Sequence, residues 1–232
     1  MGIGDIRFTV LQVVNEVQRK LGLDQTATVS ANKLAVQIVD YINDVCGDLS
    51  DFGNWQEVLT STNVTAVSGQ CDYSITTSAN IKNIGDIFFS SRTGALRNVR
   101  VHDMRIMTRV TSTGTPTQFC VFGTDSNGNP LLRVRPTPAA NEDGKLFSIT
   151  YYARAPQYST ADGALVIPFP GGLVVDGALA RAILNESGGS PTDHYTLVQN
   201  DYLTARKEAL NRFNGDTGYD VSFTPSRPGR RR

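Results

Sequence analysis

Between residues 6 and 21 the apolar side chains Ile6, Val10, Val13, Val14, Val17 and Leu21 recur at steps of three and four, the spacing that gathers them on one helical face. After Gly22 and a polar stretch the spacing returns in Leu34, Ile38, Tyr41, Val45, Leu49 and Phe52. It predicts a second helix, capped by Ser30 and ending near Gly53. From Gln56 to about Tyr158 the period shortens. Runs rich in Thr, Val, Ile, Tyr and Phe, divided by Gly, Asn, Pro and Ser, predict strands at 57–67, 70–75, 84–90, 95–101, 117–122, 131–135 and 146–154. Asn127-Gly128 reads as a type I′ hairpin turn, because both residues tolerate a positive φ. A short helix over 102–109 interrupts the series.

Helical spacing resumes after Pro168 and Pro170, where Leu173, Val174, Leu179, Ala180, Ile183 and Leu184 form a third stripe that stops at Gly188-Gly189. Ser190-Pro191 opens a fourth helix, with Ser190 as cap and Pro191 in the first turn, where its missing N–H is harmless. Tyr195, Val198, Tyr202, Ala205, Ala209 and Phe213 make its apolar face. Each stripe is stranded in water until it packs on another. The economical arrangement is an α+β fold in which the N- and C-terminal helices build one bundle and an antiparallel β-sandwich is inserted between them. The expected divisions are a first part of the bundle over 1–55, the sandwich over 56–158, the second part over 159–214 and a C-terminal tail over 215–232. The tail turns to Gly, Asp, Ser, Thr and Pro and holds too little apolar surface to fold by itself.

Charged residues make up 19% of the 232, below the usual quarter, and uncharged polar residues fill the difference. Such surfaces cost little to desolvate, as subunit contacts prefer. Lys and Arg total 22 and so do Asp and Glu, so no global field draws the chain to nucleic acid or to an anionic membrane. Partners must be recognised locally. Asp5, Arg7, Asn15 and Glu16 in the amphipathic start fit neither a signal peptide nor a transit peptide, and no apolar run approaches membrane-spanning length. Cys46, Cys71 and Cys120 are odd in number and far apart, which argues against a disulfide framework or a zinc cluster and for buried thiols in a cytosolically made protein.

The chain offers no motif in which reactive side chains stand together. The two histidines, His102 and His194, sit in ordinary helical contexts, and no nucleophile elbow, phosphate loop, dinucleotide fingerprint or His-Glu-x-x-His occurs. The expectation is a protein that is not an enzyme and holds no cofactor. Asp125-x-Asn127-x-Asn129 imitates the opening of a calcium loop, but Pro136 stands where the bidentate Glu belongs, so a hairpin turn is expected there. Charge patterns carry more. Asp40, Asp44, Asp48 and Asp51 share one face of the second helix, either as a solvated stripe or as a subunit contact met by Arg206, Lys207 or Arg212 of a neighbouring copy. Arg92, Arg97, Arg100, Arg105 and Arg109 surround the short helix and read as surface or subunit contact ahead of DNA readout. In the tail, Arg227, Arg230, Arg231 and Arg232 are either a solubilising end or a set of charge-assisted contacts made on a partner.

Trp55 after two helices, Gly69-x-x-x-Tyr73, Gly114-x-Pro116-x-x-Phe119, Leu132-x-Val134-x-Pro136-x-Pro138 and Tyr151-Tyr152-x-x-x-Pro156 together resemble the bacteriophage head-to-tail adaptor family, which includes tail tubular and head-completion proteins. The resemblance spans roughly residues 5–215 and rests on turn and strand punctuation rather than on reactive residues. It implies a ring of about twelve copies beneath the portal protein, joined to tail or nozzle proteins in the neck of the virion and built in the host cytoplasm. DNA would pass through its channel without sequence-specific binding, and no membrane is involved. The Arg-rich tail becomes, on this resemblance, a portal-docking element. Readings from other classes are a receptor- or carbohydrate-binding β-module of a phage tail, with its site on sandwich loops, and a small hydrolase.

Overall fold

The structure is a computed structural model that describes residues 7–77, 80–107 and 112–216. It is α+β. In chain order the elements are α1 (Val10–Lys20), α2 (Lys33–Phe52), β1 (Leu59–Thr65), β2 (Asp72–Ser74), β3 (Ile81–Phe89), β4 (Arg97–Asn98), α3 (Val101–Met107), β5 (Thr113–Gly114), β6 (Gln118–Thr124), β7 (Pro130–Arg135), β8 (Thr137–Pro138), β9 (Leu146–Ala153), α4 (Gly171–Glu186) and α5 (Asp193–Asp216). They fall into two compact units, one made of Met1–Val45 and Tyr158–Arg232, the other of Cys46–Gln157.

In the first unit, α1 begins at Val10, and its expected first stripe residue, Ile6, lies outside the described residues. Thr9 sets the start: its Oγ1 accepts the Gln12 N–H at 3.2 Å while Gln12 Oε1 accepts the Thr9 N–H at 2.8 Å, a reciprocal cap. Upstream the backbone stays extended, since the Val10 N–H donates to the Leu165 carbonyl and the Ile167 N–H to the Phe8 carbonyl. Val10, Val13, Val14 and Val17 are fully buried, as their spacing predicts. The second helix is capped by Asn32, whose Oδ1 accepts the Ala35 N–H at 2.7 Å, and not by Ser30. Likewise Thr192 replaces Ser190 at the start of α5, its Oγ1 accepting the Tyr195 N–H at 3.1 Å, so that Pro191 precedes the helix. Both corrections move the cap two residues toward the helix, onto another side chain of the capping class.

Helix α4 is buried around almost its whole circumference from Gly171 to Ile183, the mark of a central helix. Small residues let its neighbours close in. A Cβ on Gly177 would lie 2.9 Å from Tyr202 Cε2 and 2.9 Å from Val45 Cγ2, so α2 and α5 both meet α4 at this bare stretch of backbone. Two asparagines tie the connections down. Asn43 donates to the Tyr158 carbonyl at 2.9 Å and accepts the Tyr158 N–H at 2.8 Å, and Asn15 does the same for Thr26 at 3.1 and 2.9 Å.

The second unit holds a three-stranded antiparallel sheet in the order β1-β9-β3 and a four-stranded sheet in the order β2-β7-β6-β4, with the pair β5-β8 beside them. Alternation decides which side chains go inward. Phe147 and Ile149 of β9 and Ile87 and Phe89 of β3 share one buried cluster with Tyr73, Phe119, Leu132 and Val134 of the other sheet. Phe147 lies at its centre, 4.6 Å from the Phe89 ring and 5.3 Å from the Tyr73 ring.

Two features depart from the expected all-antiparallel arrangement and its type I′ turn. β4 pairs with β6 in parallel because the chain between them runs through α3 and returns in the same direction, and β5 pairs with β8 in parallel across the β6–β7 hairpin that separates them in the chain. The β6–β7 hairpin is present, but only Gly128 in its Asn127-Gly128 pair has a positive φ, of 81°. Asp125 builds the turn instead, with its Oδ1 accepting the N–H groups of Asn127 and Asn129 at 2.8 and 2.9 Å. The Asn129 side-chain amide, donating to Oδ2 at 3.0 Å, foremost, and then those backbone bonds hold the Asp125 carboxyl below the usual range.

Candidate functional site

Helix α2 turns Ile38, Val39, Ile42, Val45, Cys46 and Leu49 inward, and the same period leaves Asp40, Asp44, Asp48 and Asp51 exposed on its other side. Asp40 and Asp44 belong to the first unit. There Glu186, at the end of α4, joins them: burial pushes the Tyr41 phenol up first, and the charges of Asp40, Glu186 and Asp44 push it further. Three carboxylates therefore act on one tyrosine, and the third is invisible in the sequence because only the fold brings it there. Within the second unit Asp51 is paired with Arg154 at 3.2 Å, an exposed contact of little energetic weight.

The basic residues proposed to meet the stripe differ among themselves. Lys207 is exposed on α5, whereas Arg206 is half-buried and places its guanidinium 5.7 Å from the centre of the Tyr202 ring. The backbone of Arg212 lies in α5, and its side chain falls outside the described residues. So do Arg109 and the tail arginines Arg227, Arg230, Arg231 and Arg232. Of the remaining arginine set, Arg92, Arg97, Arg100 and Arg105 are all exposed, and Arg97 and Arg100 line one cleft with Asp103.

His102 and His194 are exposed, and among the described residues no group of three His, Cys, Asp or Glu side chains is placed to hold a metal ion. Burial pushes the thiols of Cys71 and Cys120 up, away from the reactive thiolate; Cys71 is half-buried where a buried residue was expected.

Glu142 is an ionised group that sequence reading did not single out. Its side chain is only 3% exposed, and its carboxylate accepts from Ser91 Oγ at 2.6 Å, Thr115 Oγ1 at 2.7 Å and Lys145 Nζ at 2.9 Å. No local pattern announces it, since Ser91 and Thr115 arrive from far along the chain. The hydroxyl bonds, with Lys145 after them, lower its pKa from 4.5 to about 2. A depressed carboxyl stabilises the fold above its unfolded pKa and loses that contribution as pH falls through the folded one. Stability is therefore expected to hold down to about pH 4.5 and to decline between there and pH 2. Glu142→Gln should flatten that decline in melting curves taken across the window and lower the neutral-pH melting temperature; an unchanged acid profile would contradict the assignment.

The family model described as SU10 adaptor protein matches residues 8–232. No curated protein matches the chain.

Proposed function

Because the chain belongs to the SU10 adaptor protein family, a family of phage head-to-tail adaptors, we propose that it is a non-catalytic ring subunit that joins the portal to the tail and forms part of the DNA channel. As a phage adaptor it is a virion component that associates with other phage structural proteins, and among the described residues no helix is long and apolar enough to cross a membrane. The finer reading takes the first unit as a helical bundle and the second as a β-sandwich inserted into it. Its support is the shared apolar cluster between the two sheets and the discontinuous chain of the first unit.

The family match over nearly the whole chain carries this reading, and the charge pattern suits it. A conduit must not retain DNA, and equal numbers of acidic and basic residues give no global field to hold it. Assembly takes place in the host cytoplasm, with about twelve copies closing around one axis, the portal on one side and tail or nozzle proteins on the other. The tail arginines Arg227, Arg230, Arg231 and Arg232 dock on the portal.

The exposed stripe of Asp40, Asp44, Asp48 and Asp51 is the proposed lateral contact, met by Lys207 and Arg212 of the next copy and by Arg206 once it leaves the Tyr202 ring. Reversing two charges with Asp44→Lys and Asp48→Lys turns attraction into repulsion at two points. Assembly measured by light scattering should weaken at least about tenfold. Assembly equal to that of the unaltered chain would reject the contact and leave the stripe a solvated face.

A further inference from the structure

β3 forms one edge of the three-stranded sheet, and β4 one edge of the four-stranded sheet. The far half of β3 is covered: Phe88 bridges Ala95, and the Leu96 N–H donates to the Ile87 carbonyl at 2.7 Å. Its near half, from Ile81 to Ile84, borders a groove of about 410 Å³ whose opposite wall is residues 98–101 and whose floor includes Phe119 and Val121. Ile81, Ile84, Val99 and Val121 are half-buried there, an apolar slot beside a strand edge. An adjoining cleft of about 270 Å³ shares Asn98, Val99 and Arg100 and adds Arg97, Asp103 and Gln118. Its rim is basic on balance, with exposed Arg97 and Arg100 against Asp103. Lys82 also lines the groove and is held by the Gly53 carbonyl at 2.7 Å. The shape and charge fit an extended segment that alternates apolar side chains with an acid.

The chain itself carries such a segment. Residues 219–223 read Tyr-Asp-Val-Ser-Phe, so that Tyr219, Val221 and Phe223 alternate with Asp220 and Ser222 at the period of a half-buried strand. No other position from 217 to 232 has a large apolar side chain. These three side chains thus have the slot's chemistry, and Asp220 complements its arginine rim.

We propose that residues 219–223 of one copy seat in this groove of a second copy, adding a strand to β3. Tyr219, Val221 and Phe223 meet the apolar walls, and Asp220 meets Arg97 and Arg100. The inference rests on reading the chain as a subunit that assembles with itself, and it uses a stretch separate from the arginines assigned to the portal.

Two full-length variants test it, one carrying Val99→Cys and the other Val221→Cys, mixed and oxidised with copper phenanthroline, with the unaltered chain as control for Cys46, Cys71 and Cys120. A covalent dimer on a non-reducing gel is expected only in the mixture. Adding Phe223→Ser to the second variant should lower its yield about tenfold, as loss of a buried aromatic does. No dimer between variants that melt like the unaltered chain would overturn the proposal, and so would equal dimer when Arg231→Cys replaces Val221→Cys. A chain carrying both cysteines that only closes on itself overturns the second copy as occupant. Rings that form without the cross-link sink this inference alone, whereas cross-linked pairs that never grow into rings sink the ring reading alone.

Discussion

Replacing Gly177 with leucine is expected to destabilise the first unit by about 3 kcal/mol, the upper end of what forced packing of a filled core costs. Even a single Cβ there would lie 2.9 Å from Tyr202 Cε2 and 2.9 and 3.0 Å from the two γ-methyls of Val45. Val45 is fully buried and Tyr202 is 1% exposed, so neither side chain can swing out into water without abandoning its own packing. Gly177→Ala sets the two effects against each other. Alanine gains about 1 kcal/mol of helix propensity and brings only the Cβ, so its net cost is the smaller of the pair. The measurement is loss of helical ellipticity on heating, where the leucine variant should melt roughly 6–12 °C lower. A leucine variant that melts with the unaltered chain would show that α4 does not meet α2 and α5 at this residue.

Trp55→Ala is expected to cost about 3–5 kcal/mol in the second unit. The indole is fully buried, and its Nε1–H donates to the Leu49 carbonyl at 2.7 Å, inside the last turns of α2 where helical carbonyls lack intrahelical donors. Removing it leaves a cavity and deprives that carbonyl of the indole donor. Trp55→Phe separates the two contributions, since it keeps most of the apolar volume and loses only the donor, at about 1–3 kcal/mol. Urea unfolding followed by far-ultraviolet ellipticity should place both variants below the parent, with alanine lowest. Trp55 is the chain's single tryptophan, so its emission in the Gly177 variants reports the second unit by itself. A phenylalanine variant as stable as the parent would remove the hydrogen bond from the account.

These two sites illustrate what could be read in the sequence. The four long helices and the main strand runs follow from periodicity, because each buries one face and the spacing of apolar residues records it: Val10, Val13, Val14 and Val17 are all fully buried. The caps lie two residues beyond the expected ones because Ser30 and Asn32, or Ser190 and Thr192, belong to the same capping class, and only backbone geometry chooses between them. The parallel pairings of β4 and β5 were hidden for a different reason. Each is two residues long, too short to show a period, and its partner is fixed by the path of the chain, through α3 for β4 and through the β6–β7 hairpin for β5. No signal in the pattern of α2 marks the point after Val45 where the helix passes from one unit into the other.

The candidate surfaces divide in the same way. The aspartate stripe is legible because a helix converts spacing into a face, and all four of its residues are exposed. Glu186 beside Tyr41, and Ser91 and Thr115 around Glu142, could not be found, since each comes from a distant part of the chain. The family itself is legible in turn and strand punctuation, whose Tyr73, Phe119, Leu132 and Val134 are side chains of the shared apolar cluster.

The claim on which the rest depends is that this chain works by binding copies of itself and the portal rather than by chemistry. Mass measurement with negative-stain imaging of the purified full chain, alone and mixed with portal protein, tests it directly. The account predicts closed rings of many copies that co-purify with the portal; a chain that remains a lone monomer in both samples would contradict it.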